Sequence, residues 1–176
     1  LKRDFRKPLI IMTPKSLLRH KLAVSTKDMF TGDSTFHRVL WDDDQDKLAK
    51  AKDIKRIILC SGKVYYDLMQ HRKENDLSHT AIIRVEQLYP FHGEMVKKLI
   101  EPFRRADAFV WCQEEPKNAG AWQYVRPRII TAAKEGGRGD GQAPALGDRR
   151  RDQDHPVRGV QDQGAGAGQG PGYLHD

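Results

Sequence analysis

Cysteine is scarce in this chain, with Cys60 and Cys112 as the only two among 176 residues. No CxxC pair and no His/Cys set with metal-ligand spacing accompanies them, which argues against a zinc site. Each cysteine lies within an apolar run that is typical of a buried strand. We therefore expect two reduced thiols in the core rather than a disulfide or a metal centre.

Long apolar runs are missing as well. No stretch approaches the roughly 18 consecutive apolar residues that a membrane-spanning helix requires, so we predict that the chain does not cross a membrane. The amino-terminal stretch LKRDFRKPLII is basic and then briefly apolar, and it ends at Thr13-Pro14. Because no small-residue cleavage site follows, we interpret it as a linker entering a strand rather than a signal peptide.

Sequence motifs that identify a catalytic site are also lacking. No serine occupies a GxSxG nucleophile elbow, which argues against a hydrolase triad. Ser61-Gly62-Lys63 lacks the rest of the GxxxxGK[ST] pattern, so an ATP-binding P-loop is not indicated. The histidines are scattered, without an acid at a spacing that would orient them. The sequence alone therefore identifies no catalytic residue.

The formal net charge of +7 raises the question of a nucleic-acid partner. Basic residues are interleaved with acidic ones along the predicted helices, which is the pattern of a solvated surface. A contiguous stripe of aromatic and basic residues, as found in proteins that bind single strands, is absent from the sequence. We predict no nucleic-acid partner.

Apolar strands and amphipathic helices alternate along the chain, which predicts parallel β-α-β units in a covered sheet. The predicted strands are Leu9–Met12, Phe36–Trp41, Ile54–Cys60, Thr80–Glu86 and Ala108–Gln113, and the predicted helices are Lys63–Glu74, His92–Phe103 and Trp122–Lys134. The expected fold class is α/β, with an open, mostly parallel sheet flanked by helices.

Polar residues follow three of the predicted strands. These are Ser61-Gly62-Lys63, Glu86-Gln87 and Gln113-Glu114-Glu115. Right-handed crossovers bring the carboxyl ends of parallel strands to one edge of the sheet, where ligands gather in open α/β folds. Amides, a flexible glycine and an ammonium at Ser61-Gly62-Lys63 could hold a phosphate or carboxylate. A tight turn with a solvated lysine is the simpler alternative.

Neighbouring carboxylates do not make an acid/base pair here. Glu114 and Glu115 are adjacent, so in an extended segment they point in opposite directions. One could accept backbone amides at the next helix start while the other faces a partner. Trp122 could serve an interface or the core, and Gly120 would permit close backbone approach. We therefore assign Glu114, Glu115 and Trp122 to a candidate interface.

Composition changes sharply near residue 136. Eleven of the fifteen glycines lie in residues 136–176, where most apolar residue types vanish. We predict a linker over residues 1–8, a domain over 9–135 and a disordered tail over 136–176. A natural low-complexity tail is one explanation. A reading-frame shift near residues 136–150, which replaced a final strand and helix, is the other.

Four blocks resemble one enzyme family. They are TPKSLLRHKLAVS, CSGKVYYDL, RVEQLYPF and WCQEEPKNAGAW, within about residues 7–130. Together they are similar to the carboxyl-terminal part of the thiamine-dependent, decarboxylating subunit of 2-oxoglutarate dehydrogenase, of the transketolase-like family. The resemblance implies a transketolase carboxyl-terminal type domain, small and mixed α/β, that packs in a homodimer.

The resemblance also implies a function. The full enzyme is an oxidoreductase of the tricarboxylic acid cycle that uses thiamine diphosphate and magnesium to decarboxylate 2-oxoglutarate. It passes the succinyl group to the lipoyl arm of a succinyltransferase component and works with dihydrolipoyl dehydrogenase. The family's cofactor motifs lie upstream, so we expect the isolated chain to be inactive and to bind neither cofactor. The implied compartment is a bacterial cytoplasm or a mitochondrial matrix.

Some relatives carry a regulatory acyl-CoA site in this domain. Carried over by motif, its positions are Arg19, Ser61, Lys63, Gln113, Gly120 and Ala121. This agrees with the reading of the strand-end edge as an anion site. A stand-alone nucleotide- or anion-binding α/β module remains the alternative to an enzyme fragment.

Overall fold

The structure is a computed structural model that describes residues 4–136 with their side chains and residues 145–150 by their backbone. The strands are β1 Val39–Leu40, β2 Arg56–Cys60, β3 Thr80–Val85, β4 Ala108–Gln113 and β5 Ala145–Arg150. The helices are α1 Val64–Glu74, α2 Gly93–Ile100 and α3 Trp122–Glu135. Short 3-10 turns lie at Lys15–Arg19, Lys27–Phe30, Gln45–Lys47, Ala51–Asp53 and Glu101–Phe103.

The sheet runs in the order β1-β3-β2-β4-β5. Strands β2 to β5 are parallel, and only β1 is antiparallel, against β3. The predicted open, mostly parallel α/β sheet is confirmed. The β-branched and apolar runs of β2, β3 and β4 favour strands, and the connections through α1 and α2 are long enough for parallel crossovers.

Helices cover both faces of the sheet. Side chains alternate along β2, so Ile57 and Leu59 join the larger core with α2 and α3, whereas Cys60 joins the smaller core under α1. Val125 and Ile129 of α3 are fully buried in the larger core. This two-sided burial is what a continuous apolar strand such as β2 requires.

The two cysteines behave as the sequence predicts. Cys60 and Cys112 are buried thiols that lie opposite each other in the β2–β4 register. Burial, followed by the nearby Cys112, raises the pKa of the Cys60 thiol far above its ordinary range. The neutral thiol is a poor nucleophile, so Cys60 acts as a small core residue.

Two predicted strands differ from the structure. Leu9–Met12 is not in a strand, and its side chains are 70 to 91% exposed. An apolar run can form a strand only where an edge is available, and within the described residues β1 already pairs with β3. The strand predicted over Phe36–Trp41 shortens to β1, with Phe36 outside it and exposed.

Part of the predicted tail is structured. The backbone of β5 pairs with β4 from Ala108↔Ala145 to Gln113↔Arg150. The structure therefore differs from the predicted disorder at these six residues, since the outer edge of β4 offers backbone groups that a further strand can pair. Residues 137–144 and 151–176, and with them the rest of the predicted tail, lie outside the described residues. The domain division stays a prediction.

A buried ion pair ties α1 to the sheet. Arg72 of α1 makes a bidentate contact with Asp42, through Nη1 to Oδ2 and through Nη2 to Oδ1 at 2.8 Å. Asp42 is 1% exposed and Arg72 6%. The backbone N–H of Ile82 in β3 also donates to Asp42, at 3.0 Å. Burial opposes the charge of Arg72, but the hydrogen bond to Asp42 and the charges of Asp42 and Asp44 together outweigh it and raise the pKa of the guanidinium.

Removing one partner of this pair should strongly destabilise the chain. Asp42→Asn removes the main counter-ion of the buried Arg72 charge and leaves Asp44, whose Oδ2 lies 3.5 Å from Nη2 of Arg72. We expect a loss of about 3–5 kcal/mol in the free energy of unfolding, measured by urea denaturation. Replacing both residues, as Asp42→Leu with Arg72→Met, should cost less than Asp42→Asn. Asp28→Asn on an exposed turn is the control and should change little. Equal effects of Asp42→Asn and Asp28→Asn would refute the role given to the pair.

Candidate functional site

The three polar blocks meet at one edge of the sheet, as predicted. Strand β2 lies between β3 and β4, and Cys60 pairs in register with Arg84 on one side and with Cys112 on the other. The segments that follow these strands therefore leave the sheet side by side. This edge, formed by residues 61–63, 86–87 and 113–122, is called the strand-end edge below.

Lys63 and Glu114 join two of the blocks. The Lys63 ammonium donates a hydrogen bond to Oε1 of Glu114, and the two side chains are 30 and 34% exposed. Lys63 follows Gly62, whose φ of +71° is the left-handed conformation that favours glycine. This turn aims Lys63 from the end of β2 toward the end of β4. A half-exposed ion pair of this kind can open to accept another anion at modest cost.

Gln113 is the organising residue of the β4 end. Its Oε1 accepts hydrogen bonds from Nε1 of Trp111 at 2.7 Å and from the backbone N–H of Trp122 at 3.1 Å. Its Nε2 donates to the carbonyl oxygens of Glu115 at 3.0 Å and Pro116 at 3.2 Å. Both donors and both lone pairs of this 3% exposed amide are thus used by the chain itself.

Gly120 makes room for that amide. A Cβ at residue 120 would lie 2.6 Å from Cδ and 2.8 Å from Oε1 of Gln113. Any larger residue must therefore displace a buried side chain that holds the loop after β4 and the start of α3. The close approach predicted for Gly120 is confirmed, and its partner is Gln113.

Of the remaining predicted residues, Ser61 and Ala121 belong to the strand-end edge, whereas Arg19 lies on a separate turn. Ser61 is half-buried, and Ala121 is half-buried against the larger core. Arg19 is exposed on the Lys15–Arg19 turn, and the ring of its neighbour His20 lies 5.1 Å from that of Tyr66 in α1. The first turn of α1 thus lies close to the segment that carries Arg19.

The candidate interface residues fall into two groups. Glu115 is exposed, and Glu114 is paired with Lys63. Trp122 is only 4% exposed, and its indole packs in the larger core, with the Lys117 ammonium 5.6 Å from the ring. The structure describes Trp122 as a core residue of this chain. A role of the three residues at an interface stays a prediction.

A second cluster of charges was missed from the sequence. Three consecutive aspartates follow β1, and each binds a cation or a donor; Asp42 and Asp44 share Arg72. Asp42 pairs with Arg72, Asp43 accepts the Tyr65 hydroxyl at 2.8 Å, and Asp44 lies 3.0 Å from the Lys73 ammonium. The run of acids in a chain of net charge +7 was one available signal. The position of Arg72 on the apolar Val64-Leu68 stripe of α1 was another.

The electrostatics of this cluster follow from its contacts. Burial opposes ionisation of Asp44, but the hydrogen bond and charge of Lys73, with the charges of Lys47 and Arg72, hold the pKa of its carboxyl below the usual range. Burial and then the hydrogen bond to Asp43 raise the pKa of the Tyr65 phenol. Asp44 is therefore an anion and Tyr65 a neutral donor at neutral pH.

Within residues 4–136, no group of three or more His, Cys, Asp and Glu side chains is placed to hold a metal ion. The same residues contain no helix that is both long and apolar enough to cross a bilayer.

The mostly parallel sheet and its polar strand-end edge define an open α/β domain. Comparison with known proteins gives the family. The model described as "2-oxoglutarate dehydrogenase C-terminal" matches residues 24–162, and the chain belongs to that family. The resemblance drawn from the four sequence blocks is thereby confirmed.

Individual relatives agree. The chain is 55% identical over 135 residues to the 2-oxoglutarate dehydrogenase E1 component of Brucella anthropi, an overlap of 73% of this chain and 13% of that protein. The E1 components of Brucella ovis and Brucella canis are each 54% identical to the chain over 135 residues, again 73% of this chain and 13% of each relative. The chain thus spans a small fraction of the relatives that it matches.

The packing of Gly120 against Gln113 leads to a test by double-mutant cycle. Gly120→Ala should lower the free energy of unfolding by about 2–4 kcal/mol, since it displaces Gln113 and leaves buried donors unpaired. In a Gln113→Ala background the same change should cost much less, because the space is then open. Gly93→Ala, whose nearest neighbouring atom would be 4.0 Å away, is the matched control and should be nearly neutral. Additive effects at residues 113 and 120 would contradict this packing.

Proposed function

We propose that this chain is the carboxyl-terminal part of the E1 component of a 2-oxoglutarate dehydrogenase, the oxidoreductase subunit that decarboxylates 2-oxoglutarate. The observation that carries the proposal is the 55% identity over 135 residues to an E1 component. At that identity the packed core and the strand-end edge are expected to be retained together. The bacterial relatives favour a bacterial cytoplasm as the compartment.

The bond-breaking groups would lie outside this chain. Thiamine diphosphate with magnesium would supply the carbanion chemistry of the whole enzyme. The described residues offer no cluster of metal ligands, and their most polar side chains at the strand-end edge already bind one another. We therefore assign the chain an assembly role within a homodimeric E1. The lipoyl-bearing succinyltransferase and dihydrolipoyl dehydrogenase would be partners of the whole complex.

A chimeric enzyme tests this assignment. The stretch of Brucella anthropi E1 that aligns with this chain is replaced by residues 4–136, and CO₂ release from 2-oxoglutarate is measured. We expect activity within about tenfold of the parent enzyme, since the cofactor site is untouched. A chimera with a flexible linker of equal length is the control and should be inactive. A folded, cofactor-loaded chimera without decarboxylase activity would overturn the assignment.

The strand-end edge is also proposed as an acyl-CoA site, by the resemblance that assigned Arg19, Ser61, Lys63, Gln113, Gly120 and Ala121. The geometry divides these six positions. Gln113 and Gly120 are engaged with each other, so they would shape the site rather than bind the ligand. Lys63, Ser61 and the exposed Arg19 would contact phosphates. Lys63 would exchange Glu114 for a phosphate oxygen, which is a stronger charge-assisted partner.

This exchange predicts opposite effects of two substitutions. Glu114→Gln removes the competing carboxylate and should tighten acetyl-CoA binding several-fold, whereas Lys63→Met should weaken it at least tenfold. Binding is measured by calorimetry on the chimera. Lys52→Met, at an exposed position of the Ala51–Asp53 turn that precedes β2 and lies outside the strand-end edge, is the matched lysine control and should change little. No heat of binding with any variant, or equal effects of Lys63→Met and Lys52→Met, would remove the acyl-CoA site and leave the E1 assignment intact.

A further inference from the structure

A short apolar segment near the amino terminus lies in solvent. Leu9, Ile10, Ile11 and Met12 are 83, 82, 70 and 91% exposed. Their backbone is not part of a helix, turn or strand. Four consecutive large apolar residues in solvent are costly, at roughly 1.5–3 kcal/mol for each side chain relative to burial. The segment therefore has the character of a buried element without its surroundings.

The prolines around the segment define its length. Pro8 precedes Leu9, and Pro14 follows Thr13. Proline lacks the N–H that a strand interior requires, so it is found at strand ends. The five residues between the two prolines match the usual length of a strand, about five to six residues. The segment between the prolines, Leu9 to Thr13, has no regular structure here. It is called the PLIIM strand below, after the letters of Pro8 to Met12 and the role proposed for it.

The side-chain pattern indicates the kind of sheet. In an extended chain, Leu9 and Ile11 point to one face and Ile10 and Met12 to the other. Both faces of the PLIIM strand are therefore apolar. A strand at the surface of an antiparallel sheet alternates apolar and polar residues, whereas a strand covered by helices on both sides does not. The pattern fits an interior position in a parallel, helix-covered sheet.

The sheet of this domain does not provide that position. Among the described strands, β3 is bordered by β1 and β2, and β4 by β2 and β5. The free side of β1 spans only Val39–Leu40, which is too short for a five-residue partner. A strand beside β5, the other edge strand of this sheet, would stand at the edge and not in the interior. No pairing of the PLIIM strand with a described strand is present.

The lengths of the relatives leave room for a second sheet outside this chain. The family match begins at residue 24, so the PLIIM strand precedes the matched segment. The relatives are far longer than this chain, which covers 13% of the Brucella anthropi protein. Most of an E1 polypeptide thus lies outside the segment described here, and it would place a second sheet within reach.

We propose that Leu9–Thr13 adds as a strand to a parallel, helix-covered sheet in the portion of the E1 polypeptide that precedes the family segment. Main-chain hydrogen bonds would provide the affinity, and the two apolar faces would be buried between helices. The segment up to residue 37, with its two exposed 3-10 turns, then connects that sheet to the domain. The inference rests on the proposed function, because it requires an E1 partner. It moves the domain start from residue 9 to a point after the PLIIM strand.

Hydrogen exchange in the chimera tests the inference separately from activity. We compare the amides of residues 9–13 in the chimera and in the isolated 176-residue chain. We expect exchange at least a hundredfold slower in the chimera, because the amides would be paired and buried. Amides that exchange equally fast in both proteins would overturn the inference, whether or not the chimera is active. Slow exchange in an inactive chimera would uphold the inference and sink the proposed function.

A matched pair of substitutions provides the second readout. Ile11 and Val24 are 70 and 74% exposed, and only Ile11 lies in the PLIIM strand. In the isolated chain, Ile11→Lys and Val24→Lys should both leave the unfolding midpoint unchanged. In the chimera, Ile11→Lys should lower the midpoint clearly, because a charge would be buried, whereas Val24→Lys should not. Equal midpoints of the two chimera variants would overturn the inference.

Discussion

The pairing of Arg72 with Asp42 is the contact on which the rest of the domain depends. The helix α1 crosses β2 and β3 on the face with the smaller core, and that core alone is modest. A buried guanidinium in the last turn of the helix fixes its rotation, because only one orientation gives the charge its partner. The same carboxylate accepts the Ile82 amide and so continues the pairing of β3 beyond the end of β1. Apolar packing drives folding, and the Arg72–Asp42 pair fixes the position of α1 on the sheet.

At the end of β4, the buried polar side chain is a neutral amide. Gln113 connects the end of β4, the following loop and the first turn of α3 through four hydrogen bonds. The amide has no net charge, so its burial requires only complete hydrogen bonding. Gly120 permits that arrangement by the absence of a side chain. Gln113, which the resemblance assigned to a ligand site, therefore binds other parts of the chain itself. The Lys63–Glu114 ion pair is the part of the strand-end edge that can rearrange.

The sequence predicts those elements whose stability is local. Strands β2, β3 and β4 and all three helices follow from their periodicity, with boundaries within a few residues of the expected ones. The meeting of the three polar blocks follows from parallel topology. The role of Gln113 does not, because its four partners, spread over residues 111–122, converge only after folding. Leu9–Met12 has the composition of a strand, but composition does not say which sheet provides the neighbours. The aspartates after β1 could have been noticed by their density, although their individual partners could not.

Tyr65 has a consequence for the second charge cluster. Its hydroxyl donates to Asp43, and the guanidinium of Arg84 lies 4.2 Å from the centre of its ring. Since burial and the Asp43 carboxylate keep the proton on the phenol, this link between the chain after β1 and the first turn of α1 is indifferent to acidity over the range that cells experience. A histidine at residue 65 would gain or lose a proton within that range, so the attachment would respond to pH. The phenol stays neutral across that range, so its hydrogen bond to Asp43 is kept.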